Sequence, residues 1–145
     1  MKRVCFIEFE GLLENEGEYI VDSVVAKEFL TELNEFSKKN KTELFLISGL
    51  HENVVTKKFK DSFVSEFFDK NHFFFVDKKY ISSKQDVDKK IHEENLEKDE
   101  NFNDSYFKQT IINKILSKEN LSKSDCLLLC NDVWVDGYYT TRFSV

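Results

Sequence analysis

Four short apolar runs recur along the chain, and helically spaced segments separate them. The runs are rich in aromatic and β-branched residues and predict buried strands at residues 3–9, 43–49, 72–76 and 126–130. A 3.6-residue period predicts helices at residues 23–39, at residues 51–68 and from a cap at Ser105 to Leu116. Buried strands that alternate with helices predict a three-layer, Rossmann-like α/β domain with a parallel sheet and helices on both faces.

The apolar faces of two helices can be read directly from the spacing. The first helix, which Asp22 or Ser23 caps, is expected to bury Val25, Ala26, Phe29, Leu30, Leu33 and Phe36. The last helix is expected to bury Tyr106, Phe107, Ile111, Ile112, Ile115 and Leu116. Both helices therefore have a face suited to packing on the sheet.

Two polar segments interrupt this pattern. Residues 12–22 predict a loop or small hairpin that turns at Gly17. Residues 82–104 are highly charged, and Val87, Ile91 and Leu96 form a narrow apolar stripe for a short helix. We interpret this second segment as an insert, either a solvated helix or a mobile stretch, within one domain that spans residues 1–145.

Composition narrows the partners and the compartment. The 145-residue chain has a net charge of −6 and no basic stripe, which argues against nucleic-acid binding. Glu8 and Glu10 interrupt the first apolar run, so it is too short for a signal peptide or a membrane span. We therefore expect a cytoplasmic domain without a membrane partner.

The three cysteines occur in apolar, strand-like runs, where burial is expected. Cys126 and Cys130 would lie about 13 Å apart on one strand, too far for a disulfide. An odd number of thiols, the third being Cys5, suits a reducing compartment. A metal site at the CxxxC pair is disfavoured because no His or further Cys lies nearby in sequence.

Polar and charged residues gather where the predicted strands end. In an open parallel sheet, ligands bind at the carboxyl ends of the strands. The residues expected there are Glu8, Glu10, Ser48, Lys108, Asp132 and Asp136. Clustered carboxylates repel one another unless a cation lies among them, and oxygen ligands suit Mg²⁺. A lysine at the same edge suits an anion such as phosphate.

These positions resemble the motifs of the haloacid dehalogenase-like (HAD) superfamily. The family's Asp-x-Asp after the first strand corresponds to Glu8 and Glu10 in FIEFEGLL, and its Ser or Thr after a later strand corresponds to Ser48. The family's Lys corresponds to Lys108 in KQTIINKIL. Its Gly-Asp-x-x-x-Asp corresponds to Asn131, Asp132 and Asp136.

The resemblance implies a set of roles for these residues. Glu8 takes the position of the nucleophile and Glu10 that of the general acid/base, while Ser48 and Lys108 would hold the phosphoryl group. Glu8, Asp132 and Asp136 would hold Mg²⁺. Without a full cap domain, a member of this family acts on large substrates or relies on a partner that closes its site.

The departures from the family pattern favour impaired chemistry. Both family aspartates are Glu here, and a misplacement of about 1 Å can cost about 100-fold in rate. Little chain follows Asp136, so we expect a fold shortened at its C-terminus, with a sheet edge open to a protein partner or a second copy. The first hypothesis is thus a binding domain with a degenerate phosphotransfer site and weak affinity for Mg²⁺. The alternative is a Mg²⁺-dependent phosphatase that uses Glu8 on a phosphorylated substrate.

Simpler interpretations remain open for each residue. The acids can be surface carboxylates, Ser48 a helix cap and Lys108 a solvated lysine of a first helical turn. His51, after the second strand, faces the same crevice or only starts a helix. A receiver-like signalling domain would use Asp77, after the third strand, as its phosphate acceptor, but it also expects a lysine after a fifth strand that the sequence lacks.

Overall fold

The computed structural model describes residues 2–10, 14–15, 18–19, 23–59, 63–68, 70–99 and 103–130. Several predictions fall outside these ranges, namely the turn at Gly17, the roles of Asp132 and Asp136, and the shortening of the fold at its C-terminus. They stay predictions.

The described core is a four-stranded, all-parallel sheet. Its strands are β1 (Arg3–Glu8), β4 (Thr42–Ser48), β5 (Phe73–Phe75) and β6 (Cys126–Leu129). The strand order is β5-β4-β1-β6, so β1 lies inside the sheet. The strands β4 and β5 are added on one side of β1, and β6 is added on the other side. Two further two-residue strands, β2 (Glu14–Asn15) and β3 (Glu18–Tyr19), pair antiparallel and confirm the small hairpin.

Five helices accompany the sheet in the described ranges. They are α1 (Val24–Asn40), α2 (Glu52–Phe59), α3 (Lys78–Ser82), α4 (Asp86–Leu96) and α5 (Lys108–Glu119). Ser23 begins α1 as predicted, since its Oγ accepts a hydrogen bond from the Ala26 N–H at 3.1 Å. No helix in the described part of the chain has both the length and the apolar character needed to cross a membrane.

The two faces of the sheet carry separate apolar cores. Because side chains alternate along a strand, Cys5 and Ile7 of β1 face one core and Val4 and Phe6 face the other. The first core includes Ala26 and Leu30 of α1 and Val55 of α2; the second includes Ile111, Ile112, Ile115 and Leu116 of α5. Helices on both faces confirm the three-layer α/β architecture.

The apolar patterns of the helices were only partly correct. All six residues predicted for the face of the last helix are buried. On α1, however, Val25 is 74 % exposed and Phe36 is 43 % exposed, because the buried face is narrower and centres on Ala26 and Leu30. The predicted cap at Ser105 is also wrong: Asn103 accepts a hydrogen bond from the Ser105 N–H and starts a 3₁₀ turn over Asp104–Phe107.

The predicted helix at residues 51–68 is shorter than expected. It ends at Phe59, and residues Phe63–Glu66 form a separate 3₁₀ turn. Apolar spacing alone cannot separate one long helix from a helix that is followed by a separate turn. Phe68, which the period did not include, is buried there.

The charged segment at residues 82–104 forms a helix where it is described. Within α4, Ile91 packs against the core next to α5, but Val87 and Leu96 are exposed. The buried side chain of α4 is His92, whose ring centroid lies 4.8 Å from that of Phe107. The predicted three-residue stripe is therefore wrong at two positions.

Burial makes the thiol of Cys5 a poor nucleophile. Its side chain is buried in β1, and this desolvation raises the pKa of Cys5 to about 12, with a smaller effect from Cys126. Cys126 and Cys130, predicted to be buried, are only half-buried. Because the thiolate is the reactive form, we expect Cys5 to stay unmodified by iodoacetamide at pH 8 in the folded protein and to react in urea. Peptide mass spectrometry would measure this, and rapid labelling of native Cys5 would contradict it.

Candidate functional site

The polar cluster lies at the carboxyl ends of the two inner strands. Glu8 ends β1, Ser48 ends β4 and Lys108 begins α5. Backbone hydrogen bonds hold this edge together just past the strands, from Phe9 N to the Ile47 carbonyl at 2.9 Å and from Val76 N to the Ser48 carbonyl at 2.7 Å. This edge includes the end of β1, the strand at which the order of strand addition changes side, and open α/β sheets bind ligands at such a point.

Strand alternation explains why Glu8 meets Lys108. Glu8 follows Val4 and Phe6 on the face of β1 that is covered by α5. The first residue of α5 therefore lies close to the carboxylate at the end of the strand. Lys108 Nζ donates to Glu8 Oε1, and the side chains are only 5 % and 1 % exposed.

This ion pair changes the interpretation of both residues. A buried carboxylate or ammonium is costly unless it is paired, and here each offsets the charge of the other. Lys108 is therefore not the solvated lysine of the simpler interpretation. Its charge is directed at Glu8 rather than towards solvent.

Glu10 reaches across to the end of β4. Its Oε1 accepts three hydrogen bonds, from Ser48 Oγ at 2.9 Å, from the Gly49 N–H at 2.5 Å and from the Leu50 N–H at 3.0 Å. Successive backbone N–H groups with a hydroxyl form a concave donor set that suits an anion. We call these three donors the Ser48–Leu50 cradle.

Gly49 lies next to both the cradle and the ion pair. A Cβ at this position would lie 3.4 Å from Glu10 Oε1 and 4.0 Å from Lys108 Cε. Both distances are ordinary van der Waals contacts, so the carboxylate and the stem of the lysine approach the same point of the backbone. The cradle and the ion pair are thus neighbouring parts of one cluster.

Opposing influences act on the Glu10 carboxyl group. Burial raises the pKa of Glu10 above its usual value, and the hydrogen bonds from Ser48, Gly49 and Leu50 partly offset that increase. Its second oxygen, Oε2, is buried and accepts no hydrogen bond among the described residues, and the same holds for Glu8 Oε2. One oxygen of each carboxylate is thus well satisfied and the other is not.

An open cleft of about 600 Å³ leads to this cluster. Glu10, Gly49, Leu50 and Lys108 line one side of it. The other lining residues are Leu96 at the end of α4 and Asn103, Asp104 and Ser105 in the turn before α5. The charged segment thus contributes a wall to the candidate site, a role that its composition did not reveal.

The described residues do not by themselves fit a divalent cation. The described ranges contain no group of three His, Cys, Asp or Glu side chains placed to hold a metal. One oxygen of Glu8 is engaged by Lys108 and one of Glu10 by the cradle. The predicted ligands Asp132 and Asp136 lie outside the described residues.

The other candidate residues have structural roles. Asp77 begins α3, where its Oδ1 accepts the Tyr80 N–H at 2.9 Å, and this bond is the main cause of its lowered pKa. His51 is exposed, and its Nε2 lies 4.0 Å from Asp77 Oδ2. His51 does not line the cleft beside Glu10 and Lys108.

Sequence reasoning missed the backbone donors of the site. The Gly49 and Leu50 N–H groups have no side-chain signature, although a Ser-Gly pair directly after a strand marks a turn where N–H groups can converge. No family model, curated protein or solved structure matches this chain.

Proposed function

We propose that this chain is a HAD-like domain in which the phosphotransfer site has become internally neutralised, and that it acts by binding a protein partner or ligand. The observation that carries the proposal is the buried ion pair between Lys108 and Glu8. In the family that the sequence resembles, these positions supply the phosphate-binding cation and the nucleophile. Here the cation and the carboxylate are paired with each other.

The arrangement around Glu8 opposes nucleophilic attack. A carboxylate that accepts a hydrogen bond from a buried ammonium is stabilised in its ground state, and this lowers the nucleophilicity of both of its oxygens, including the Oε2 that accepts no hydrogen bond from the described residues. The position of the general acid/base is also altered, because Glu10 Oε1 is engaged by the three donors of the cradle. Catalysis needs its groups placed to within about 1 Å, and the contacts to one oxygen of each glutamate already fix where its carboxylate lies.

A phosphatase assay tests the proposal. With phenyl phosphate and Mg²⁺ we expect no turnover above background by the wild type, and the same background from E8Q. Phenol release would be followed by absorbance, with circular dichroism to confirm that both proteins are folded. Turnover by the wild type that E8Q lacks would contradict the proposal.

The alternative is a Mg²⁺-dependent phosphatase that uses Glu8. One observation favours it: Glu8 Oε2 and Glu10 Oε2 are buried carboxylate oxygens that accept no hydrogen bond from the described residues. Such oxygens are ligands that Mg²⁺ prefers, and Asp132 and Asp136 would complete the set. The assay above separates the two candidates, because only the alternative predicts turnover that depends on Glu8.

A further inference from the structure

The Glu10 carboxylate accepts hydrogen bonds from the Ser48–Leu50 cradle in the way that a bound anion would. The Ser48 hydroxyl and the next two backbone N–H groups all donate to one oxygen, Glu10 Oε1. Glu10 lies 38 to 40 positions earlier in the chain than these donors. Ser48 is fully buried, so its hydroxyl is fixed in place. The three donors are therefore already arranged around a negatively charged oxygen, unlike the N–H groups of a loop that binds only water.

We infer that the Ser48–Leu50 cradle is an oxyanion site that Glu10 fills as an internal ligand, and that an external phosphate group enters only when the Glu10 side chain leaves. The inference rests on the proposed function, in which no phosphoryl transfer competes for these groups. The ligand is a phosphate group, either as the free ion or as part of a larger molecule.

Competition explains why the filled cradle excludes other anions. A tethered group competes at an effective concentration of roughly millimolar or higher, so a weakly held external anion cannot displace it. The apparent affinity of the cradle for any external ligand falls in proportion to the fraction of molecules in which it is open. The local charge also weakens the binding of an external anion, because the cluster contains two carboxylates, Glu8 and Glu10, and one ammonium, Lys108.

The side-chain length of glutamate is what allows it to fill the cradle. The hydrogen bonds to Ser48 and Leu50 measure 2.9 and 3.0 Å, near the usual optimum. An aspartate at position 10 would be shorter by one methylene, about one C–C bond of roughly 1.5 Å, so its oxygens would fall outside hydrogen-bonding distance on the same backbone. Shortening the side chain therefore opens the cradle while it keeps the charge.

The cleft can accommodate the remainder of a phosphorylated molecule. Gly49 and Leu50 of the cradle line it, and Leu50 and Leu96 contribute apolar side chains to its lining. Leu96 is 44 % exposed, so a ligand that covered it would remove apolar surface from water. Free phosphate would leave this surface uncovered.

The test measures phosphate binding in the presence of EDTA, so that metal-dependent turnover cannot contribute. Inorganic phosphate and phenyl phosphate would be titrated into wild type, E10A and E10D and followed by melting temperature and calorimetry. We expect E10A to bind at least about tenfold more tightly than wild type, because the internal competitor is gone. E10D should also bind more tightly than wild type, though less tightly than E10A because the negative charge remains.

Two controls assign the effect to the cradle. E28A removes an exposed carboxylate from α1 and should bind no better than wild type, which separates the cradle from a change in net charge. E10A/S48A removes a donor and should lose the gain. Tighter binding of phenyl phosphate than of inorganic phosphate assigns the site to a phosphorylated molecule, and equal binding assigns it to the free ion.

The failing outcomes are distinct. Folded E10A and folded E10D that bind no better than wild type would overturn the internal ligand, as would a gain that survives in E10A/S48A. Phenol release by the wild type in Mg²⁺ would overturn the proposed function instead, and it is read in a separate assay.

Discussion

K108M is expected to lower the free energy of unfolding by about 3–5 kcal/mol, the largest stability effect of any substitution considered for this protein. The substitution leaves Glu8, only 1 % exposed, without the ammonium that offsets its charge. A buried carboxylate without a partner either carries a large desolvation penalty or takes up a proton, and both outcomes cost free energy. Urea unfolding followed by circular dichroism would measure the change.

Two variants show whether the ion pair is the cause. K114M removes an exposed lysine from the same helix and should change stability by less than about 0.5 kcal/mol. E8Q/K108M removes both charges and should recover most of the loss, because a neutral pair of similar volume can replace a buried ion pair. If K108M were as stable as K114M, the ion pair would not contribute to the fold in solution.

E8D/E10D is expected to gain Mg²⁺-dependent hydrolysis of phenyl phosphate, by about 100-fold or more over the wild-type background. Both substitutions restore the residues of the family that the sequence resembles, and each shortens a side chain by one methylene. The aspartates would withdraw from Lys108 and from the Ser48–Leu50 cradle, which frees the groups proposed to hold the phosphoryl group. A displacement of about 1 Å at a reacting group accounts for a change of this size.

E8N/E10D is the matched control for this gain. Asparagine has nearly the shape of aspartate but cannot form an acyl phosphate, so this variant should stay at background. Thermal melts would confirm that both double variants are folded. A folded E8D/E10D with no activity would count against the HAD-like assignment, and equal activity in E8N/E10D would mean that position 8 is not the nucleophile.

The sheet was predictable because its signal is local and repeated. Every strand predicted from an apolar run is present, and each boundary lies within one residue of its predicted position. The buried faces of the helices were predicted less accurately than the strands. Spacing shows which residues can share a face of a helix, but not how much of that face the sheet covers. Val25 and Phe36 satisfied the period of α1 and are exposed, whereas His92 lay in a charged run and is buried.

The sequence was enough to predict which residues of the candidate site lie near one another. Placing Glu8, Glu10, Ser48 and Lys108 at one edge required only the topology of a parallel sheet. Their pairing was not predictable, because it depends on the path of the backbone after β1 and on the length of each side chain. The expectation that Glu8 holds Mg²⁺ with Asp132 and Asp136, and that Ser48 and Lys108 hold a phosphate, remains a prediction. In the structure Glu8 contacts Lys108 and Glu10 contacts Ser48, so each acid meets one of the two residues predicted to bind phosphate.

The contact between Glu8 and Lys108 spans 100 residues of sequence, and this has a consequence for folding during synthesis. Until position 108 leaves the ribosome, the segment that supplies β1 and β4 cannot bury Glu8 beside its cation. Burial of β1 is therefore unfavourable in the growing chain, and the early strands gain their full stability only when α5 docks. We expect the domain to fold late and in one cooperative step rather than from its N-terminus onward.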